Sequence, residues 1–299
     1  MAWPILIGAA LLAGAAAAGT PADEEVVAPA EVLALAPEQF ERLTVAVHIM
    51  GAGPYQFIVD TGAQATVISN ILADELQLGG RKTATLVGLN SQRPVEVAPI
   101  PALSLGSRTF PVQQAALVAP FNIGAADGIL GLDSLQHQRV LFDFQEQSIT
   151  ITDVGNGRAG YDIVVRARRR LGQLIIADAR IDGVRTAVII DTGAQGSVGN
   201  AELGRRLSRA RTMGSTKMTD INGIEREGDV RIARSLLIDR ARLDNLPITF
   251  ADSPTFRTLD LEDRPALLLG MSALRLFNRV AIDFSTREVL FDVPREAVS

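Results

Sequence analysis

The chain has 299 residues, 47% hydrophobic and 21% charged, which is enough apolar material for one large domain or two lobes of about 130 residues and too little charge for a disordered chain. The net charge of −5 gives no general attraction to nucleic acid, and none is expected as a partner. Absence of cysteine excludes disulfides, thiol catalysis and thiolate metal sites, and the two histidines, His48 and His137, lie too far apart to suggest a metal centre.

Residues 1–22 carry no charged side chain, and Ile5 to Ala18 is a compact apolar run ending in small residues. Its length and an A-x-A cleavage pattern near Ala18 fit a signal peptide. The flank before it has no Lys or Arg, so the alternative is an uncleaved membrane anchor. Either reading exports the body of the protein, to the periplasm or beyond. Lysine is confined to Lys82 and Lys217 against many arginines, a bias associated with GC-rich bacterial genomes. Residues 23–40, with Asp23, Glu24, Glu25, Pro29 and Pro37, read as a spacer.

A first lobe is expected over 41–154. Leu43 to Ile49 alternates like a strand, Gly51-Ala52-Gly53-Pro54 turns, and Tyr55 to Val59 returns, delivering Asp60 in Phe57-Ile58-Val59-Asp60-Thr61-Gly62-Ala63-Gln64. Thr66 to Ser69 continues as a strand. Ser69 or Asn70 can then cap a short helix reaching Leu78 and closed by Gly79-Gly80. A glycine-marked segment, Leu86 to Ser91, reads as a hairpin. Gly128-Ile129-Leu130-Gly131-Leu132-Asp133-Ser134-Leu135 then leads to Arg139-Val140-Leu141-Phe142-Asp143-Phe144.

Residues 155–170 read as a linker, because Gly155-Asn156-Gly157 and Gly160 break the pattern and charge accumulates toward Arg166 to Arg170. That basic run and Arg205 to Arg211 read as solvated surface or linker, since no aromatic rings accompany them.

A second lobe over 171–295 repeats the first. Leu174 to Ile181, the turn pair Asp182-Gly183, and Thr186 to Ile190 deliver Asp191 in Val188-Ile189-Ile190-Asp191-Thr192-Gly193-Ala194-Gln195. A helix-like Ala201 to Leu207 and a hairpin around Asp220 to Glu225 follow. Ala266 to Leu274 with Gly270, and then Arg279-Val280-Ala281-Ile282-Asp283-Phe284, match the close of the first lobe.

The two acids are 131 residues apart, each leaving an apolar strand at a turn. A buried carboxylate is costly to ionise unless paired or hydrogen-bonded, so two identical acids on two copies of one unit imply that the copies meet. Two such carboxylates in contact hold one proton between them, an acid and a base in one place. No Gly-x-Ser-x-Gly elbow, His-Glu-x-x-His or phosphate-binding loop is present.

At these residues the chain resembles the retropepsin-like aspartic proteases, whose signature is Asp-Thr-Gly-Ala after an apolar strand. It looks like two retroviral-type halves fused in one chain, over about residues 41 to 293. The resemblance implies an all-β fold of two pseudo-symmetric barrel lobes with short helices and the active site between them. It further implies an aspartic endopeptidase with Asp60 and Asp191 catalytic and no cofactor or metal. The substrate would be an extended polypeptide, and the protein a monomer because both halves share one chain. Thr61 and Thr192 would cross-link the active-site loops, with Gly62, Ala63, Gly193 and Ala194 supporting them, and Leu130-Gly131 and Leu269-Gly270 would pack beneath. The hairpins bearing Gly88, Leu89, Ile221 and Gly223 would be flaps, although neither has a glycine-rich tip or a flap tyrosine. Other readings are a peptide-binding module that keeps the fold without the chemistry, and a self-processing enzyme that cuts within 20–38.

Overall fold

The computed structural model describes residues 31–34, 36–37, 43–152, 158 and 160–294; the expected leader over 1–22 lies outside the described residues. Among the described residues no helix is long and apolar enough to cross a membrane.

The fold is all-β, and each lobe is built on a ring of six strands. In the first lobe Leu43–Ile49 pairs with Ala52–Val59, which pairs in parallel with Gly128–Leu130; Val67–Ser69, Arg108–Val118 and Gln92–Leu105 follow, and the last returns to Leu43–Ile49. The second lobe repeats the circuit with Gln173–Ile181, Val184–Ile190, Ala266–Leu269, Ser197–Gly199, Ala241–Phe250 and Glu225–Ile238. Closing a short sheet on itself satisfies its edge hydrogen bonds and leaves an interior that the alternating apolar residues fill.

A third sheet of six strands joins the lobes. Its centre is the repeated phrase paired with itself: Arg139–Asp143 runs antiparallel to Arg279–Asp283, with Arg139 opposite Asp283 and Asp143 opposite Arg279. The apolar core is correspondingly continuous, from Val45 and Val59 through Val140, Phe142, Val280 and Ile282 to Val188 and Leu236. The lobes are therefore held in a fixed relation by a shared sheet and a shared core, which gives the acid of each lobe a defined partner.

The turn chemistry follows the sequence in most places. Asp182 and Gly183 both have positive φ, 48° and 84°, as a two-residue hairpin turn of the right twist requires. Ser69 caps the helix Asn70–Glu75 by accepting from the Leu72 amide, and Asn200 caps Ala201–Arg206 by accepting from Leu203.

Several boundaries differ from the sequence reading. The first helix ends sooner than Gly79-Gly80: Gln77, at φ 53°, takes the left-handed position, and the Leu78 and Gln77 amides donate to the Ala73 and Asp74 carbonyls. The returning strand begins at Ala52 rather than Tyr55. Within the expected spacer, Glu31–Ala34 pairs with Ser148–Thr152 as an edge of the joining sheet, and Ala36–Pro37 pairs with Leu43 and Thr44. In the expected linker, Ile163–Arg166 pairs with Glu288–Asp292 and Arg168–Arg170 with Gln173–Ile175. An open sheet edge recruits any extended neighbour with free backbone groups, whatever its charge or glycine content.

Candidate active site

Asp60 and Asp191 are delivered to one place by equivalent elements. Each follows the last residue of a strand, Val59 or Ile190, and each amide donates to the neighbouring strand of its own lobe, Asp60 to Leu130 (3.0 Å) and Asp191 to Leu269 (3.1 Å). Beyond the acids the chain turns sharply enough for two amides to reach back. Gly62 and Ala63 donate to Asp60 Oδ1 at 2.7 and 3.0 Å, and Gly193 and Ala194 donate to Asp191 Oδ1 at 3.1 and 3.0 Å. Each carboxylate is thus oriented by its own loop before it meets the other.

The loops are tied by the threonines between acid and glycine, both buried. Thr61 Oγ1 donates to the Ile190 carbonyl (2.9 Å) and Thr192 Oγ1 to that of Val59 (2.7 Å). In return the Thr61 amide donates to Thr192 Oγ1 (3.0 Å) and the Thr192 amide to Thr61 Oγ1 (3.3 Å). Each hydroxyl donates once and accepts once across the lobe boundary, so the cross-link is fully satisfied in a buried place where an unpaired group is costly. The glycines let the loops come this close. A Cβ on Gly193 would occupy the same space as the Asp60 carboxyl group, and one on Gly62 would collide with that of Asp191.

Beneath the loops, the Leu132 and Met271 amides donate to the Ala63 and Ala194 carbonyls, at 2.8 Å each. The shared Leu-Gly phrases therefore brace the loops from below. A further brace comes from the buried Gln173, whose side-chain amide donates to the Gly62 carbonyl. Nothing in its sequence context marks it.

The two carboxyl groups share a hydrogen bond, and the Asp191 carboxyl is pushed up to about 8 by burial and by the charge of Asp60 beside it, against the pull of the Ala194 and Gly193 amides. Two acids this close cannot both ionise near neutrality. The pair can donate a proton to one group and accept one from another at the same point. A third carboxylate nearby, Asp133, accepts from the Thr66 amide and hydroxyl and is also raised by burial, in part offset by those bonds. Among the described residues no group of three or more His, Asp or Glu side chains is arranged to hold a metal ion.

Gly88, Leu89, Ile221 and Gly223 fall at the tips of two hairpins, one between Lys82–Val87 and Gln92–Leu105 and the other between Arg211–Thr219 and Glu225–Ile238. The tips meet across the lobe boundary. Ile221 packs on the first lobe's apolar cluster, which includes Ile58 and Val67, and Leu89 packs on the second lobe's, which includes Ile189 and Val198. A groove of about 300 Å³ beside the Asp60 loop is lined by Gln64, Ala84, Leu86, Val95, Val97 and Ala116.

Residues 45–134 and 177–273 each match the family model of the aspartyl protease. The two matched segments are the two lobes, and each contains one of the paired acids. No curated protein matches the chain.

Proposed function

The chain belongs to the aspartyl protease family, and from that premise we propose that it is an endopeptidase that hydrolyses peptide bonds with a water activated between Asp60 and Asp191. The observation that carries this reading is the contact of the two carboxyl groups, each oriented by two amides of its own loop. A peptide-binding module would need neither acid, still less a shared proton.

In the proposed reaction the pair begins with one proton. The ionised carboxylate takes a proton from the water as its oxygen attacks the scissile carbonyl carbon, and the protonated carboxyl gives its proton to the carbonyl oxygen, forming a neutral gem-diol. The protonated carboxyl then gives its proton to the peptide nitrogen while the other carboxylate takes one from a gem-diol hydroxyl, and the C–N bond breaks, leaving a carboxylic acid, an amine and a singly protonated pair. The threonine cross-link supplies no proton. It holds the two carboxyls at a fixed separation, which is what a reaction depending on both at once requires.

The proposed substrate is a polypeptide lying extended between the lobes, with an apolar side chain in the groove of Ala84, Leu86, Val95, Val97 and Ala116. The repeat within one chain supports a monomeric enzyme, and the apolar run in residues 1–22 supports an exported one.

The test is cleavage of a diverse unstructured peptide mixture from about pH 3 to about 8 by the unmodified protein, Asp60→Asn and Asp191→Asn, because acid–base groups contribute roughly a hundred- to ten-thousand-fold each. Both variants should lose nearly all turnover. Near-normal cleavage by Asp191→Asn would sink the proposal.

A further inference from the structure

The two hairpin tips interlock through side chains of both, around a carboxylate that only one of them supplies. The Asp220 carboxylate divides its two oxygens. Oδ1 accepts from the Asn222 and Ile224 amides of its own turn, at 3.0 and 2.9 Å, while Oδ2 accepts from the Asn90 amide at 3.0 Å and the Ser91 hydroxyl at 2.6 Å on the opposite tip. Around this charge two asparagines cross in opposite directions. Asn90 Nδ2 donates to the Met218 and Ile224 carbonyls of the second hairpin at 2.8 Å each, and Asn222 Nδ2 donates to Ser91 Oγ of the first at 3.0 Å. Asn90 and Asp220 are only 3% and 5% exposed, so this contact is a dry one, where such bonds are strongest.

The repeat shows why one acid suffices. Gly88-Leu89-Asn90-Ser91 aligns with Asp220-Ile221-Asn222-Gly223, so Gly88 stands where the other tip has Asp220. A Cβ on Gly88 would come within 2.6 Å of Asp220 Oδ2. Two identical tips could not make this contact, because either both would bring a carboxylate to the same point or neither would. Joining the halves in one chain permits the asymmetry.

We propose that Asp220 is a positioning residue that latches the two tips together, so that the resting protein is closed and the latch must open before substrate can enter or products leave. This rests on the peptidase reading above. The latch bonds run between the two hairpins alone and use neither catalytic acid, so weakening them speeds passage in both directions without changing affinity much.

Asp220→Asn is the discriminating variant. It retains Oδ1 for its own turn and places an NH2 group where the Asn90 amide and Ser91 hydroxyl need an acceptor. Amide hydrogen exchange should quicken about tenfold or more at Asn90 and stay unchanged at Ile224, the effect of losing charge-assisted bonds in a buried place. With a peptide isostere carrying a hydroxyl at the scissile carbon as the probe, association and dissociation should both rise about tenfold, leaving Kd within about threefold. Unchanged exchange at Asn90, or a rise in dissociation alone, overturns the latch. A second arm uses the absence of cysteine: a Ser91→Cys, Asn222→Cys double variant should form a disulfide that blocks isostere binding until reductant is added. Binding at full rate while oxidised overturns gating. Protected Asn90 exchange and the disulfide, with neither cleavage nor isostere binding in the reduced protein, would support the latch while sinking the peptidase reading.

Discussion

Replacing Asp191 with Asn should make the protein more stable at neutral pH, and the gain should depend on pH in a way fixed by the site. An isolated carboxyl titrates near 3.8, and the folded site holds that of Asp191 up to about 8. Between those values the folded state binds a proton that the unfolded state has released, so stability falls as pH rises. The contribution is fully present below about pH 4 and lost as the pH passes through about 8. The interval, at about 1.4 kcal/mol per pH unit, sets a ceiling of about 6 kcal/mol. Both acids are partly open to the cleft, where water screens the charge, so about 2–4 kcal/mol is expected. Asn keeps the shape and titrates nowhere. Urea unfolding followed by circular dichroism, for the unmodified protein and the variant at several values from about pH 4 to about 8, gives the difference in stability, which should grow steadily across that range. A difference that is flat to within about 0.5 kcal/mol, or that shrinks with pH, would refute the shared-proton geometry.

Other expectations follow from neighbouring contacts. If the singly protonated pair is the active form, kcat/KM should fall on the alkaline side near the Asp191 value of about 8, so cleavage should persist at neutral pH; activity confined to acid would contradict it. Thr192→Val strands the Thr61 amide and the Val59 carbonyl; it should lower stability by about 2–6 kcal/mol at about 1–3 per buried group, and Thr192→Ser should restore both stability and turnover. In the joining sheet, burial pushes the Asp283 carboxyl up, but the Thr286 amide, the Ser285 hydroxyl and the Arg139 guanidinium together hold it below its ordinary value. Asp283→Asn should cost about 3–5 kcal/mol by breaking a buried pair. The Asp283 contribution should be present above about pH 4 and lost as pH falls further, readable as a shift in acid unfolding.

The parts of this molecule legible in the sequence are those written in local signals. An apolar strand followed by Asp-Thr-Gly places the acid at a strand end, Asp182-Gly183 fixes a turn, and Ser69, one of two candidates, stands where a helix needs an acceptor. Repetition adds one long-range fact, since two equal acids imply a meeting point. What could not be read were contacts in which one residue's role depends on a partner elsewhere in the chain. The phrase Arg139 to Asp143 is visible as a repeat of Arg279 to Asp283, but its pairing with that repeat is a property of the assembled sheet. Residues 31–34 and 163–166 carry spacer and linker composition, and become strands because sheet edges are available to them.

The hairpin tips show the same limit where the repeat departs from symmetry. Read alone, Gly88 and Asp220 are two ordinary turn residues, and a mismatch between repeats looks like drift. In the fold they face each other, and the mismatch is what makes contact possible: the glycine makes room and the aspartate fills it. At the acids, by contrast, the halves agree, because the chemistry requires two of the same group. A duplicated chain keeps its symmetry where both copies must do the same thing and gives it up on the axis, where two identical side chains would compete for one space. Positions near that axis at which the repeats disagree are therefore where a fused pair acquires properties that neither half could have by itself.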